Sequence, residues 1–363
     1  MVFYLSLFAI AYFFSYFGKK YKQEILGYVL SFLILALVAG LRDYSVGADT
    51  YQYVGYISYY KGETFYSVLA GEYRKDMGFG LFMVLMHQFT SDPHVIFLII
   101  SCIILGTFFI AVVKSVDLFK IEGVSICLLL YLLNMYYNAG MNIVRQFMSV
   151  SICLLALIYL YKRNMIYCIL LLIIAFSFHA SSLIFTILPL SYMLFSAQSK
   201  LIRNGVIIVI LLESAYVLLN FQTIAIYMAN EYERLESIAE MDSSLSRQII
   251  GISSLATWTL CYYLIYQSFK KKIFSQNHLY MFLLVQTLTV VLGFVAYYNV
   301  FMGRLLFYPQ IALLLYQGFA LSDFRISKEF KTVFILFYVA LYLYRSSSGS
   351  AMTIPYSSEV LHI

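Results

Sequence analysis

Residues 94–113 read HVIFLIISCIILGTFFIAVV, twenty positions without one Asp, Glu, Lys or Arg. A helix rising 1.5 Å per residue needs about 20 such residues to cross the hydrocarbon of a bilayer. That run is read as a membrane span, and the rest of the chain follows its pattern. Further apolar runs, bounded by charged or polar breaks, fall near 3–17, 24–41, 121–138, 143–161, 165–178, 180–197, 204–220, 250–269, 277–298, 304–321 and 332–346. Over the 363 residues 62% are apolar and 12% charged, where soluble domains carry about a quarter charged. An ordinary soluble enzyme, a disordered protein and a secreted disulfide scaffold are all excluded. The fold expected is all-α: a polytopic integral membrane protein of about 12 transmembrane helices, a single transmembrane domain over 1–363. The stretch 78–90, GFGLFMVLMHQFT, is too short to span and is expected to be an extra re-entrant or interfacial helix.

The net charge of +6 points to topology and not to nucleic acid. If 78–90 does not cross, alternate connections are 18–23, 114–120, 161–164, 198–203, 270–272 and 323–331. These short loops hold 15 of the 24 basic residues, and the positive-inside rule assigns them to the cytoplasm. Both termini then face outward. So do a first outer loop over 42–93, with short helices, and a second over 221–249. The inner set comprises 12 Lys and 3 Arg; the outer set has 2 Lys and 7 Arg, namely Arg42, Arg74, Arg145, Arg234, Arg247, Arg304 and Arg345. Lysine is a hydrated point charge, whereas the planar arginine fork captures phosphate bidentately. The outer face is therefore read as equipped for an anion.

Its polar residues cluster in sequence. Arg42, Asp43 and Asp49 follow the second span, and Glu72 and Arg74 precede Gly78. Asn142, Arg145 and Gln146 stand at i, i+3 and i+4, which puts them on one face of a helix entering the bilayer. Polar groups there are expected to face the protein interior or a wet cavity. His179 lies between two spans, and Arg304 opens another inward helix with Tyr308 one turn later. Three helix starts marked by Arg145, His179 and Arg304 suit a diphosphate, since helix N-termini offer free N–H groups and partial positive charge. An ion path would instead place carboxylates mid-span, where Glu213 is the one clear case. The five cysteines are scattered without a CxxC pair, so neither a disulfide framework nor a zinc site is expected. No Walker loop, HExxH or GxSxG motif occurs.

The ordered pieces Gly40-Leu41-Arg42-Asp43, Gly47-Ala48-Asp49-Thr50-x-x-Tyr53, Glu72 to Gly78, Asn142-x-x-Arg145-Gln146, Phe178-His179-Ala180-Ser181 and Arg304-x-x-x-Tyr308 resemble the EpsG-like branch of Wzy-type polysaccharide polymerases. The resemblance implies a membrane glycosyltransferase that acts on the outer face of the bacterial plasma membrane. It would transfer a growing O-antigen, capsule or exopolysaccharide chain from undecaprenyl diphosphate to a sugar hydroxyl of an incoming lipid-linked oligosaccharide. Under that reading His179, Asp49 and Arg145 are catalytic, with His179 as first candidate for the base. Arg42, Asp43, Glu72, Arg74, Asn142, Gln146, Arg247, Arg304 and Tyr308 bind substrate. Inversion is expected, with no metal and no cofactor. The partners implied are the lipid-linked oligosaccharide, the bilayer, and a flippase and chain-length regulator of the same pathway; no nucleic acid is implied. A flippase or transporter, a membrane O-acyltransferase and an O-antigen ligase are the alternatives.

Overall fold

A computed structural model describes residues 1–70, 76–196, 244–298, 303–349 and 352–363. Its elements are helical, with no strand among the described residues. The chain divides into two compact units, one formed by Met1–Leu183 with Leu314–Ile363, the other by Ile184–Leu313.

In the first unit α1 (Val2–Lys20) and α2 (Glu24–Gly40) form a hairpin that packs on α6 (Pro93–Phe119). Asp92 starts α6: its carboxylate accepts the His94 N–H at 2.8 Å and Pro93 occupies the first turn, where a missing N–H costs nothing. At the centre stands α9 (Val144–Tyr161), whose Phe147, Met148, Val150, Cys153, Leu154 and Leu157 are all 1% exposed or less. It is sheathed by α6 and by α10 (Met165–Phe178). Outward-facing positions on α10 are apolar too: Ile166, Ile169, Leu170 and Ile173 are exposed. A broad apolar outer surface around a packed apolar centre is what a lipid environment requires.

Length and composition mark four described helices as able to cross a membrane: Val2–Lys20, Pro93–Phe119, Val144–Tyr161 and Arg304–Ser322. A fifth is the bent pair α7 (Val124–Leu133) and α8 (Tyr136–Asn142), and Glu24–Gly40, Met165–Phe178 and Ala180–Ser196 are shorter apolar helices. The multi-pass all-helical class is thus as expected. The expected run 204–220 lies outside the described residues.

The sequence predicts one helix over 121–138, and the structure breaks it. The two pieces meet at 58° because Met135 takes a left-handed φ of +62° and Asn134 turns its amide back to the Leu130 carbonyl at 2.9 Å. Short polar side chains that bond the preceding turn commonly mark such bends. Between α2 and α6 the chain makes three short helices, α3 (Thr50–Tyr59), α4 (Phe65–Leu69) and α5 (Met77–His87). With 11 residues, α5 reaches only about 16 Å, roughly half of a bilayer core.

The second unit comprises α11 (Ile187–Ser196), the hairpin of α12 (Ser244–Lys270) and α13 (Gln276–Tyr298), and the start of α14 (Phe307–Ser322). From Leu314 onward α14 belongs to the first unit, as does α15 (Lys328–Ser347). Beyond α15, residues 352–363 fold back onto the loop that follows α2.

Candidate active site around Arg145

Arg145 is the second residue of α9, so its guanidinium leaves the bundle at a helix N-terminus. There it pairs with the Asp76 carboxylate, the two side chains being 25% and 14% exposed. Tyr56, Phe79 and Tyr53 set their rings 5.3, 5.8 and 5.9 Å from the guanidinium carbon. Cation–π contacts of this kind contribute about 0.5–1 kcal/mol each at partly wet sites. Arg145 Nε is buried and has no hydrogen-bond partner among the described residues. A cation caged by aromatic rings with an N–H donor unspent is suited to an additional anion.

Asp76 precedes α5 in a left-handed conformation, φ +59°, and its carbonyl accepts the N–H groups of Phe79 and Gly80. Its place depends on Gly78, because a Cβ there would meet the Ser177 backbone carbon at 2.8 Å. That close approach lays the start of α5 against the end of α10, next to His179. In sequence Asp76 falls inside the stretch Glu72 to Gly78 without standing out from it. Its signal was a carboxylate two residues before a glycine that opens a half-length helix.

The loop 41–49 supplies the second wall. Gly47 has φ +97°, a conformation costly for any residue with a Cβ, and its N–H donates to the Met352 carbonyl at 2.9 Å. Asp49 then starts α3, and its own N–H donates to Asn142 Oδ1 at 2.9 Å. Among the described residues no donor is within hydrogen-bond distance of the half-buried Asp49 carboxylate. One turn on, burial pushes the Tyr53 phenol up from its usual range while the Arg145 charge pulls it down. Tyr53 therefore stays a neutral hydroxyl between Asp49 and Arg145.

Several expectations change. The triad Asn142, Arg145 and Gln146 does not share a helical face: Ile143, at φ −100° and ψ 62°, ends α8 and separates Asn142 from α9. Gln146 turns inward and is 2% exposed. Arg42, expected to bind substrate, is 1% exposed. Its guanidinium donates to the carbonyls of Ala39, of Val46 at 3.3 Å and of Met141 at 2.7 Å, and lies 4.6 Å from the Phe97 ring. Arg42 thus braces α2, the loop and α8 from within. Asp43 is likewise engaged, its carboxylate accepting the Glu359 N–H at 2.8 Å.

His179 ends α10 and is half-exposed. Its Nδ1 accepts the Ser181 N–H at 3.3 Å and lies 2.6 Å from Ser181 Oγ. A neutral ring accepting at Nδ1 carries its proton on Nε2. In the second unit Arg304 is exposed on a short 3-10 turn, Arg304–Leu306, while Tyr308, expected to touch substrate, is fully buried. Glu72, Arg74 and the side chain of Arg247 lie outside the described residues.

No curated protein and no solved structure matches the chain. The family model described as EpsG family matches it over residues 25–358, a stretch that includes Arg42, Asp49, Asp76, Arg145 and His179, and the chain accordingly belongs to the EpsG family.

Proposed function

We propose that this chain is a membrane glycosyltransferase that polymerises undecaprenyl-diphosphate-linked oligosaccharides on the outer face of the bacterial plasma membrane. EpsG-family membership and the apolar helices support a multi-pass membrane protein of polysaccharide biosynthesis. Twelve crossings with both termini outward complete the proposal. The observation that carries the reaction is Arg145, caged by three rings with its Nε unpaired among the described residues.

In this reading the diphosphate of the donor lipid meets Arg145, which stabilises the charge that develops as the anomeric C–O bond breaks. The acceptor sugar hydroxyl attacks that carbon from the opposite side, giving inversion. Its proton passes to a carboxylate acting as base. The Asp49 carboxylate, with no donor among the described residues, suits that role better than His179, whose Nδ1 is already engaged by Ser181. His179 is assigned to donating a hydrogen bond, and Asn142 to orienting Asp49 through its backbone. Tyr56, half-buried beside the cation, is an aromatic surface on which a sugar ring can stack.

The test is complementation of a strain lacking its own polymerase with Arg145→Ala, Asp49→Asn, His179→Ala and Arg304→Ala, each checked for membrane abundance. Arg145→Ala and Asp49→Asn are expected to leave single-repeat product. Full-length polymer from both of these would overturn the assignment.

A further inference from the structure

The segment 352–359 makes hydrogen bonds that the proposed reaction leaves unexplained. Thr353 is fully buried; its hydroxyl accepts from Asn138 Nδ2 at 2.9 Å and its carbonyl from the Tyr4 hydroxyl at 3.0 Å. The Met352 carbonyl accepts from Gly47 N–H at 2.9 Å and the Ser357 carbonyl from Asp43 N–H at 3.0 Å. The Glu359 N–H closes on the Asp43 carboxylate at 2.8 Å. The Tyr356 hydroxyl donates to the Val38 carbonyl at 2.8 Å, and burial pushes that phenol up to about 12, so it keeps its proton throughout the physiological range.

Three of these contacts end on the loop 41–49: those to the Gly47 N–H, the Asp43 N–H and the Asp43 carboxylate. The loop 41–49 is held from within by Arg42 and from the α8 side by Asn142, which fixes the Asp49 N–H. Its remaining wall is the segment 352–359. Asn138 and Asn142 stand four residues apart on α8, so they lie on one side of that helix. One anchors Thr353 and the other anchors Asp49. Asp49, assigned as base, is therefore registered against α8 twice, directly through its N–H and indirectly through Thr353, Met352 and Gly47.

We infer that Thr353 is a positioning residue: by tying the segment 352–359 to Asn138 it holds the 41–49 loop, and with it Asp49, in catalytic register. The catalytic half of this statement rests on the polymerase reading; the mechanical half does not. The test uses the full chain in lipid nanodiscs, spin-labelled at the exposed loop position Ser45→Cys. The native cysteines are buried or half-buried, which favours labelling at the new site. Thr353→Val keeps the shape and removes the acceptor for Asn138. Loss of one buried hydrogen bond shifts a local equilibrium about tenfold.

In Thr353→Val the nitroxide spectrum is expected to sharpen and kcat for chain extension to fall about tenfold, with KM for the lipid-linked donor little changed. Thr353→Ser should restore both, and Tyr356→Phe should reproduce the sharpening in part. An unchanged spectrum in Thr353→Val overturns the inference, as does a fall in kcat that Thr353→Ser does not rescue. Sharpening in a protein whose labelled parent makes no polymer refutes the polymerase reading alone and supports the mechanical link.

Discussion

Arg145 has two possible employments, bracing Asp76 or meeting a diphosphate, and a double-substitution cycle separates them. Arg145→Lys keeps the charge opposite Asp76 but loses the planar fork that faces Tyr53, Tyr56 and Phe79 at 5.3–5.9 Å. Exposed ion pairs are worth up to about 1 kcal/mol and breaking buried ones costs about 3–5 kcal/mol. At 25% and 14% exposure this pair falls between, near 2 kcal/mol. Asp76→Asn removes its charge and preserves its shape, so about 1–2 kcal/mol of stability should go. If Arg145 also stabilises the leaving diphosphate, Arg145→Lys forfeits roughly 3 kcal/mol at the transition state, about a hundredfold in kcat. Asp76→Asn frees the guanidinium from its competing carboxylate and should lower KM for the lipid-linked donor. The assay is chain extension by purified protein in nanodiscs with product length resolved on gels, alongside thermal unfolding of each variant. Equal losses of activity in the two single variants, with nothing further lost in the double, would refute a direct role for Arg145.

Other predictions address the supporting structure. Gly47→Ala forces a Cβ to within 2.8 Å of Thr50 Oγ1 at φ +97°; a destabilisation of about 1–2 kcal/mol is expected in thermal melts, with a matching fall in polymer. Asn142→Ala leaves the Asp49 N–H without its acceptor and should cost about 1–2 kcal/mol of loop stability, read as faster amide exchange at Asp49. Between α14 and α15, Arg325 donates to the Asp323 carboxylate from its backbone N–H at 2.8 Å, from Nε at 2.8 Å and from Nη2 at 2.7 Å. Burial alone would push that carboxyl up, but the Arg325 hydrogen bonds hold it below the usual carboxylate range. Its stabilising contribution is therefore present above about pH 4 and lost as pH falls through the depressed folded value. Asp323→Asn should remove that acid-side dependence, at a cost near 1 kcal/mol given the exposure of Arg325.

The membrane class was readable because uncharged runs such as 94–113 admit no other solvent, and the short reach of α5 was readable from length alone. Asp49 and Arg145 stand out in the sequence because polar groups at the edges of apolar runs are costly and conspicuous. The break at Asn134–Met135 was not readable: Leu-rich sequence on both sides continues a helical pattern, and only the backbone shows the left-handed turn. That break also explains why a spacing of three and four residues failed to place Asn142 with Arg145, since the rule holds only within one helix. Arg42 and Arg145 look alike in sequence, each an arginine at the edge of an apolar run. What distinguishes them is the supply of carbonyls around each, three for Arg42 and an acidic partner for Arg145, which depends on chain segments about a hundred residues away in the case of Met141. Thr353 was missed because nothing local to a Thr in a polar stretch announces a partner 215 residues earlier.

The bonds between residues 352–359 and the 41–49 loop have a consequence for biosynthesis. Asp43 and Glu359 are separated by 316 residues, and at about 5–20 residues per second roughly 15–60 s pass between their appearances from the ribosome. Over that interval the early helices insert while the loop they carry has only two of its three walls. The Asp43 and Gly47 amides lack these acceptors until residues 352–359 arrive. The loop is therefore completed only when residues 352–359 emerge, and its final shape is acquired in one step after the helices around it have been made.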